Sequence, residues 1–154
     1  MSQETVVLLG TSGLAPGEGF RVVAPEQPTA DPDALAEFIA QSADGPVHVI
    51  AELSMAGVGC WLAIRFPHLV HRLVLARPAC PGEDLVERLG EIQAETLVVF
   101  DTPAGPEQGQ VYQQRIPRAY RFFIYAPRRR GALVTDFLRR GETFLVNTGE
   151  THSW

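Results

Sequence analysis

Cysteine is scarce in this sequence: Cys60 and Cys80 are the two in 154 residues. Two are too few for a disulfide framework, and no Cys/His spacing marks a zinc site, so a reduced protein without metal is expected. Lysine is absent, and all 13 basic residues are arginine. No apolar run approaches the roughly 18 residues of a membrane span. The opening "MSQETVVLLG" has no basic segment ahead of a long apolar core, so it does not read as a signal peptide. A cytoplasmic location and no membrane partner are the expectations. Dinucleotide and P-loop signatures are missing too. In "GTSGLAPG", Pro16 and Gly17 interrupt any G-x-G-x-x-G that opens a helix, so no cofactor is expected.

Positive charge is in deficit overall, and the net charge of −5 exerts no pull toward nucleic acid. Locally the balance reverses. Eight arginines lie between Arg115 and Arg140 against one acid, Asp136. Such a run is either a solvated face or a surface for an acidic partner or a phosphate.

What is present is a globular composition, 45% apolar and 20% charged, at a length that suits a single domain over residues 1–154. Apolar runs of strand length recur: "TVVLL" (5–9), "FRVVA" (20–24), "VHVIAEL" (47–53), "RLVLA" (72–76), "TLVVF" (96–100) and "RFFIY" (121–125). They are continuous rather than alternating, which suits strands covered on both faces. Helical patterns lie between them. Asp31 or Asp33 can cap "PDALAEFIAQSA", where Leu35, Phe38 and Ile39 share a face. "SMAGVGCWLAIRF", "EDLVERLGEI", "EQGQVYQQRI" and "ALVTDFLRR" follow as further helices. The alternation predicts a three-layer α/β/α sandwich on a mostly parallel sheet of about six strands. "TFLVN" in the tail is a seventh strand at an edge or a packed extension.

The stretch "VIAELSMAGVG" has the layout of a nucleophile elbow: strand, tight turn, helix. Such a turn strains the backbone of the nucleophile and wants small residues two places before and after it. On this layout the strand ends at Leu53, Ser54 is the nucleophile and the helix begins at Met55. Ala56, Gly57 and Gly59 form a narrow helix face that packs closely on the sheet.

Here the sequence resembles the α/β-hydrolase family, over most of its length. "VVLLG" with "TSG" is similar to the first core strand and oxyanion loop, and "FRVVAPEQP" to the next strand. "VHVIAELSMAG" stands where the family carries V-G-H-S-M-G-G. "FPHLVHRLVLARPA" is similar to the segment after the nucleophile helix, and residues 92–127 to the last two strands. The resemblance implies an oxyanion hole from the amides of Met55 and of Thr11 or Ser12. About 19 residues separate Ala76 from Thr96, where the family places a cap of several dozen. A truncated, lidless member without a cap domain is therefore expected.

The sequence departs from the family in its catalytic set. Glu52 takes the place of a glycine. It is either a base or cation ligand, or drift in a turn that no longer needs its shape. Asp101 follows "TLVVF" earlier than the family's acid, and is either that acid or a residue of a local turn. Arg128, Arg129 or Arg130 stands where the family has histidine. Arginine cannot serve as a general base near neutral pH, but it can hold a carboxylate or phosphate. His48, at the far end of its strand, reads as structural; His68 and His71 lie in a surface connection. His152 alone can fold back to the site. Three functions follow: an ester or thioester hydrolase using Ser54, Asp101 and His152; a non-hydrolytic tailoring enzyme using Glu52; or a non-catalytic protein that binds a ligand or an acidic partner such as an acyl carrier. Open sheet edges also suit a homodimer.

Overall fold

The computed structural model describes residues 4–10, 19–26, 29–100, 106–123 and 127–141. Strands β1 (Glu4–Leu9), β2 (Phe20–Val23), β3 (Val47–Glu52), β4 (Val70–Ala76), β5 (Glu95–Phe100) and β6 (Ala119–Phe123) form one sheet in the order β2-β1-β3-β4-β5-β6. Every pairing is parallel. The six apolar runs are therefore the six strands. The possible seventh strand, "TFLVN", lies outside the described residues.

Continuous apolar runs give strands buried on both faces, and β3 is buried at all six positions. Alternate side chains enter two cores. Val7, Leu9, Val49, Ala51, Leu73, Leu75 and Val98 face one side. There they meet α1 (Pro32–Ser42), α2 (Met55–Arg65), α3 (Glu83–Arg88) and α4 (Pro106–Arg115). Val6, Ile50, Val74, Leu97 and Val99 face the other side, against Leu133, Val134, Phe137 and Leu138 of α5 (Pro127–Arg140). Helices thus cover both faces, as the strand–helix alternation requires.

Of the two possible caps for α1, Asp31 serves: its carboxylate accepts the amide of Asp33 at 3.0 Å. Gly59 lets α2 approach the sheet, because a Cβ there would lie 3.0 Å from Cβ of Ala51. Gly57 instead faces Leu85 of α3. Among the described residues no helix is long and apolar enough to cross a membrane.

The chain leaves β1 toward β2 on one side and returns as β3 on the other. The crevice beyond the carboxyl ends of β1 and β3 is therefore the topological switch point, where open α/β sheets carry their sites.

Candidate functional site

Among the described residues two non-glycines have positive φ, and both stand at this carboxyl edge: Leu53 (φ 54°), directly after β3, and Arg77 (φ 47°), directly after β4. Each costs on the order of 1–3 kcal/mol and persists only where its surroundings hold it. Here backbone hydrogen bonds do so. The Leu53 amide donates to the Ala76 carbonyl at 3.0 Å, and the Leu53 carbonyl accepts from Ala79 at 3.1 Å and Ala56 at 3.2 Å. The Arg77 amide donates to the Val99 carbonyl at 2.8 Å.

The expected strand, tight turn and helix are present, but the register of the turn differs from the sequence reading. Ser54 has helical backbone angles (φ −67°, ψ −22°) and carries no strain. The strained apex is Leu53, whose side chain is 47% exposed. The strand ends at Glu52 rather than Leu53. "AELSMA" admits both registers, since each has one small residue at the required spacing: Ala56 after Ser54, or Ala51 before Leu53. Closure of the β3 ladder one residue earlier decides between them.

Glu52 is 3% exposed, with an oxygen 3.6 Å from the Arg77 guanidinium. Gly10 (φ 99°) lies against it, where an added Cβ would sit 3.3 Å from Cβ of Glu52. A side chain at residue 10 would meet both the strain and this contact.

Ser54 is exposed and lines a cleft of about 640 Å3 with Gly57 and Trp61 of α2, Ala79 to Gly82, Leu85 of α3 and Tyr112 of α4. The Tyr112 hydroxyl donates to the Ala79 carbonyl at 2.5 Å. Burial pushes its ionisation up, so it remains a donor and pins the loop that forms the cleft wall. Cys80 adds an exposed thiol to the cleft, whereas Cys60 is sealed in the core, where burial raises its pKa.

The remaining expected site residues divide. Met55 is the first residue of α2, beside the apex. Arg129 is exposed and Arg130 half-buried in the first turn of α5. Thr11, Ser12, Asp101, His152 and the side chain of Arg128 lie outside the described residues. The described histidines are all remote from the elbow. His48 and His71 occupy the amino-terminal ends of β3 and β4, and His68 follows the far end of α2. Burial holds the His48 imidazole below its ordinary pKa, against the opposing pull of Glu4; burial lowers His71 as well.

No family model and no curated protein matches the chain. Solved structures do. A hydrolase from Pseudomonas aeruginosa superposes with a TM-score of 0.72 at 17% identity, covering 88% of this chain and 90% of that one. The thioesterase domain from the curacin biosynthetic pathway gives 0.70 at 14% identity, with the same coverage. An α/β-hydrolase enzyme from the metagenome of lagoon sediments at Mar Chica, Morocco, gives 0.67 at 15% identity and covers 96% of this chain and 90% of that one. With its six parallel strands and helices on both faces, this chain has the α/β-hydrolase fold.

Proposed function

We propose that this chain binds a small acyl ligand in the cleft beside the elbow and does not hydrolyse it. The ligand class is an ester, a thioester or the acyl end of a carrier-bound chain. The observation that carries this reading is the leucine at the strained apex. Covalent acyl transfer needs a nucleophilic atom there, activated by a neighbouring base. Leucine has none, and the described histidines are at the other end of the sheet. Glu52 is engaged by Arg77 and is not among the residues that line the cleft, which weakens the tailoring-enzyme alternative. Trp61, Leu85 and Tyr112 in the cleft suit a short acyl chain, and Glu83 and Asp84, which also line it, favour an uncharged ligand over an anionic one.

Hydrolysis by Ser54 is the second reading. Its exposure and its place in the cleft favour it. It needs a base from beyond the described residues, with His152 and Asp101 as candidates.

Titration with a butyryl thioester of N-acetylcysteamine separates the two. Trp61 lines the cleft, so ligand binding is expected to change its emission saturably, and Trp61→Phe is expected to abolish that change, leaving only the Trp154 emission as background. Chromatography is expected to show no thiol released above the protein-free blank. Thiol release that Ser54→Ala abolishes overturns the proposal in favour of the second reading. A flat titration with no release overturns both.

A further inference from the structure

At the opposite end of the sheet, the amino-terminal ends of three adjacent strands bring together Glu4 of β1, His48 of β3 and His71 of β4. One ligand atom from each lies within 4.8 Å of the others. His48 Nε2 is 3.1 Å from the Glu4 carboxylate, and the two imidazole rings stack with centroids 4.9 Å apart.

A local irregularity builds this cluster. Glu4, Val6, His48 and Ile50 point to the α5 face by simple alternation. In β4 the register shifts: Val47 pairs with Val70, but Val49 pairs with Leu73. One extra residue of β4 is thus accommodated between Val70 and Leu73. Val70 and Leu73 both enter the core opposite α5, which leaves His71 and Arg72 for the α5 face. Bulges of this kind re-aim side chains, and here the bulge sets His71 against His48.

The geometry points to a binding site for one divalent, borderline-soft cation, of which Zn2+ is the type, held by Glu4, His48 and His71. Two imidazoles and one carboxylate are a donor set that takes such a cation, and three protein ligands leave a coordination position open. Tetrahedral zinc at about 2.0–2.1 Å from each ligand needs ligand atoms roughly 3.3 Å apart, so the cluster must contract by up to about 1.5 Å. Glu4 and His71 are exposed and free to turn, whereas His48, 1% exposed, is the fixed member. His71 must rotate out of the stack, because parallel rings cannot aim two lone pairs at one ion.

The site is reachable. Glu4 lines a groove of about 500 Å3, His71 lines another of about 320 Å3, and Pro46 borders both. The neighbouring cation, Arg72, is drawn toward Glu95 at 3.5 Å. Nδ1 of His48 has no hydrogen-bond partner among the described residues. The ring is held through Nε2 against Glu4, by its stack on His71 and by an edge contact with Phe20.

Untagged protein, stripped with chelator, is titrated with Zn2+ by calorimetry and with Co2+ by visible absorption. One equivalent of each is expected to bind, with Co2+ giving the d–d bands of a four- or five-coordinate site. His71→Ala and Glu4→Gln are each expected to weaken binding by at least about tenfold, while His68→Ala, in the turn before β4, leaves it unchanged. His71 and Glu4 are exposed, so both variants are expected to fold, and circular dichroism checks it. Absence of a one-equivalent event in the wild-type protein overturns the site. So does binding that survives both substitutions, since it would then lie elsewhere on the chain.

Discussion

Residues 53 and 54 are neighbours, yet they are predicted to respond in opposite senses to the same pair of substitutions. At Leu53, alanine and glycine both delete the leucine side chain, so their difference isolates the backbone. With φ at 54°, an L-residue pays roughly 1–2 kcal/mol for the left-handed region, and glycine does not. Against this stands the roughly 0.5–1 kcal/mol by which glycine's greater freedom favours the unfolded chain. The balance makes Leu53→Gly more stable than Leu53→Ala by about 0.5–1 kcal/mol. At Ser54 the angles are already helical and the side chain makes no capping hydrogen bond. There the strain term vanishes, and Ser54→Ala is expected to exceed Ser54→Gly by about 0.5–1 kcal/mol. Urea unfolding of the four variants, fitted with a common slope, measures both differences. Preference for alanine at both positions, or for glycine at 54 and alanine at 53, refutes the assignment of the apex to Leu53.

Gly109→Ala is expected to destabilise the protein. The new Cβ would lie 2.3 Å from Cε2 of the buried Phe100 ring and 2.9 Å from Cδ of Arg121, an overpacking that costs about 1–3 kcal/mol by urea titration, less the better helix propensity of alanine. The wild-type protein, in chelator, is expected to lose stability as pH falls below about 6.5. His48 has its folded pKa lowered, chiefly by burial, so between the two pKa values the unfolded chain binds more protons. Acid therefore favours unfolding, and His48→Gln, if it folds, should flatten that part of the profile. A wild-type profile that does not fall there contradicts the burial argument.

The sheet was legible because its signal is local and redundant. Six apolar runs fall within two residues of the six observed strands, and the helices between them carry their own apolar faces, with a side-chain cap on α1. Asp31 was one of two candidates, and only the hydrogen bond from Asp33 distinguishes it. The elbow was half legible. A strand, turn and helix around residues 52–55 follow from pattern, but the apex differs by one residue, because "AELSMA" satisfies the small-residue rule once in either register. Where the β3 ladder closes is a property of its neighbours, not of that stretch. The Glu4–His48–His71 cluster was invisible for a related reason. Its members are far apart in the chain, and their convergence depends on the β4 register shift. His48 was read as a structural residue and His71 as part of a surface connection, whereas His71 is the second residue of β4, stacked on His48.

Which residue the turn after β3 presents to a ligand can be read by a serine-directed fluorophosphonate without knowledge of any substrate. Wild-type protein and Ser54→Ala, incubated with excess probe and weighed intact, are expected to keep identical unmodified masses apart from the substitution itself. A stoichiometric adduct on the wild type that disappears in Ser54→Ala would mean that Ser54 is an activated nucleophile, and would contradict the reading of Leu53 as the apex of a non-hydrolytic site.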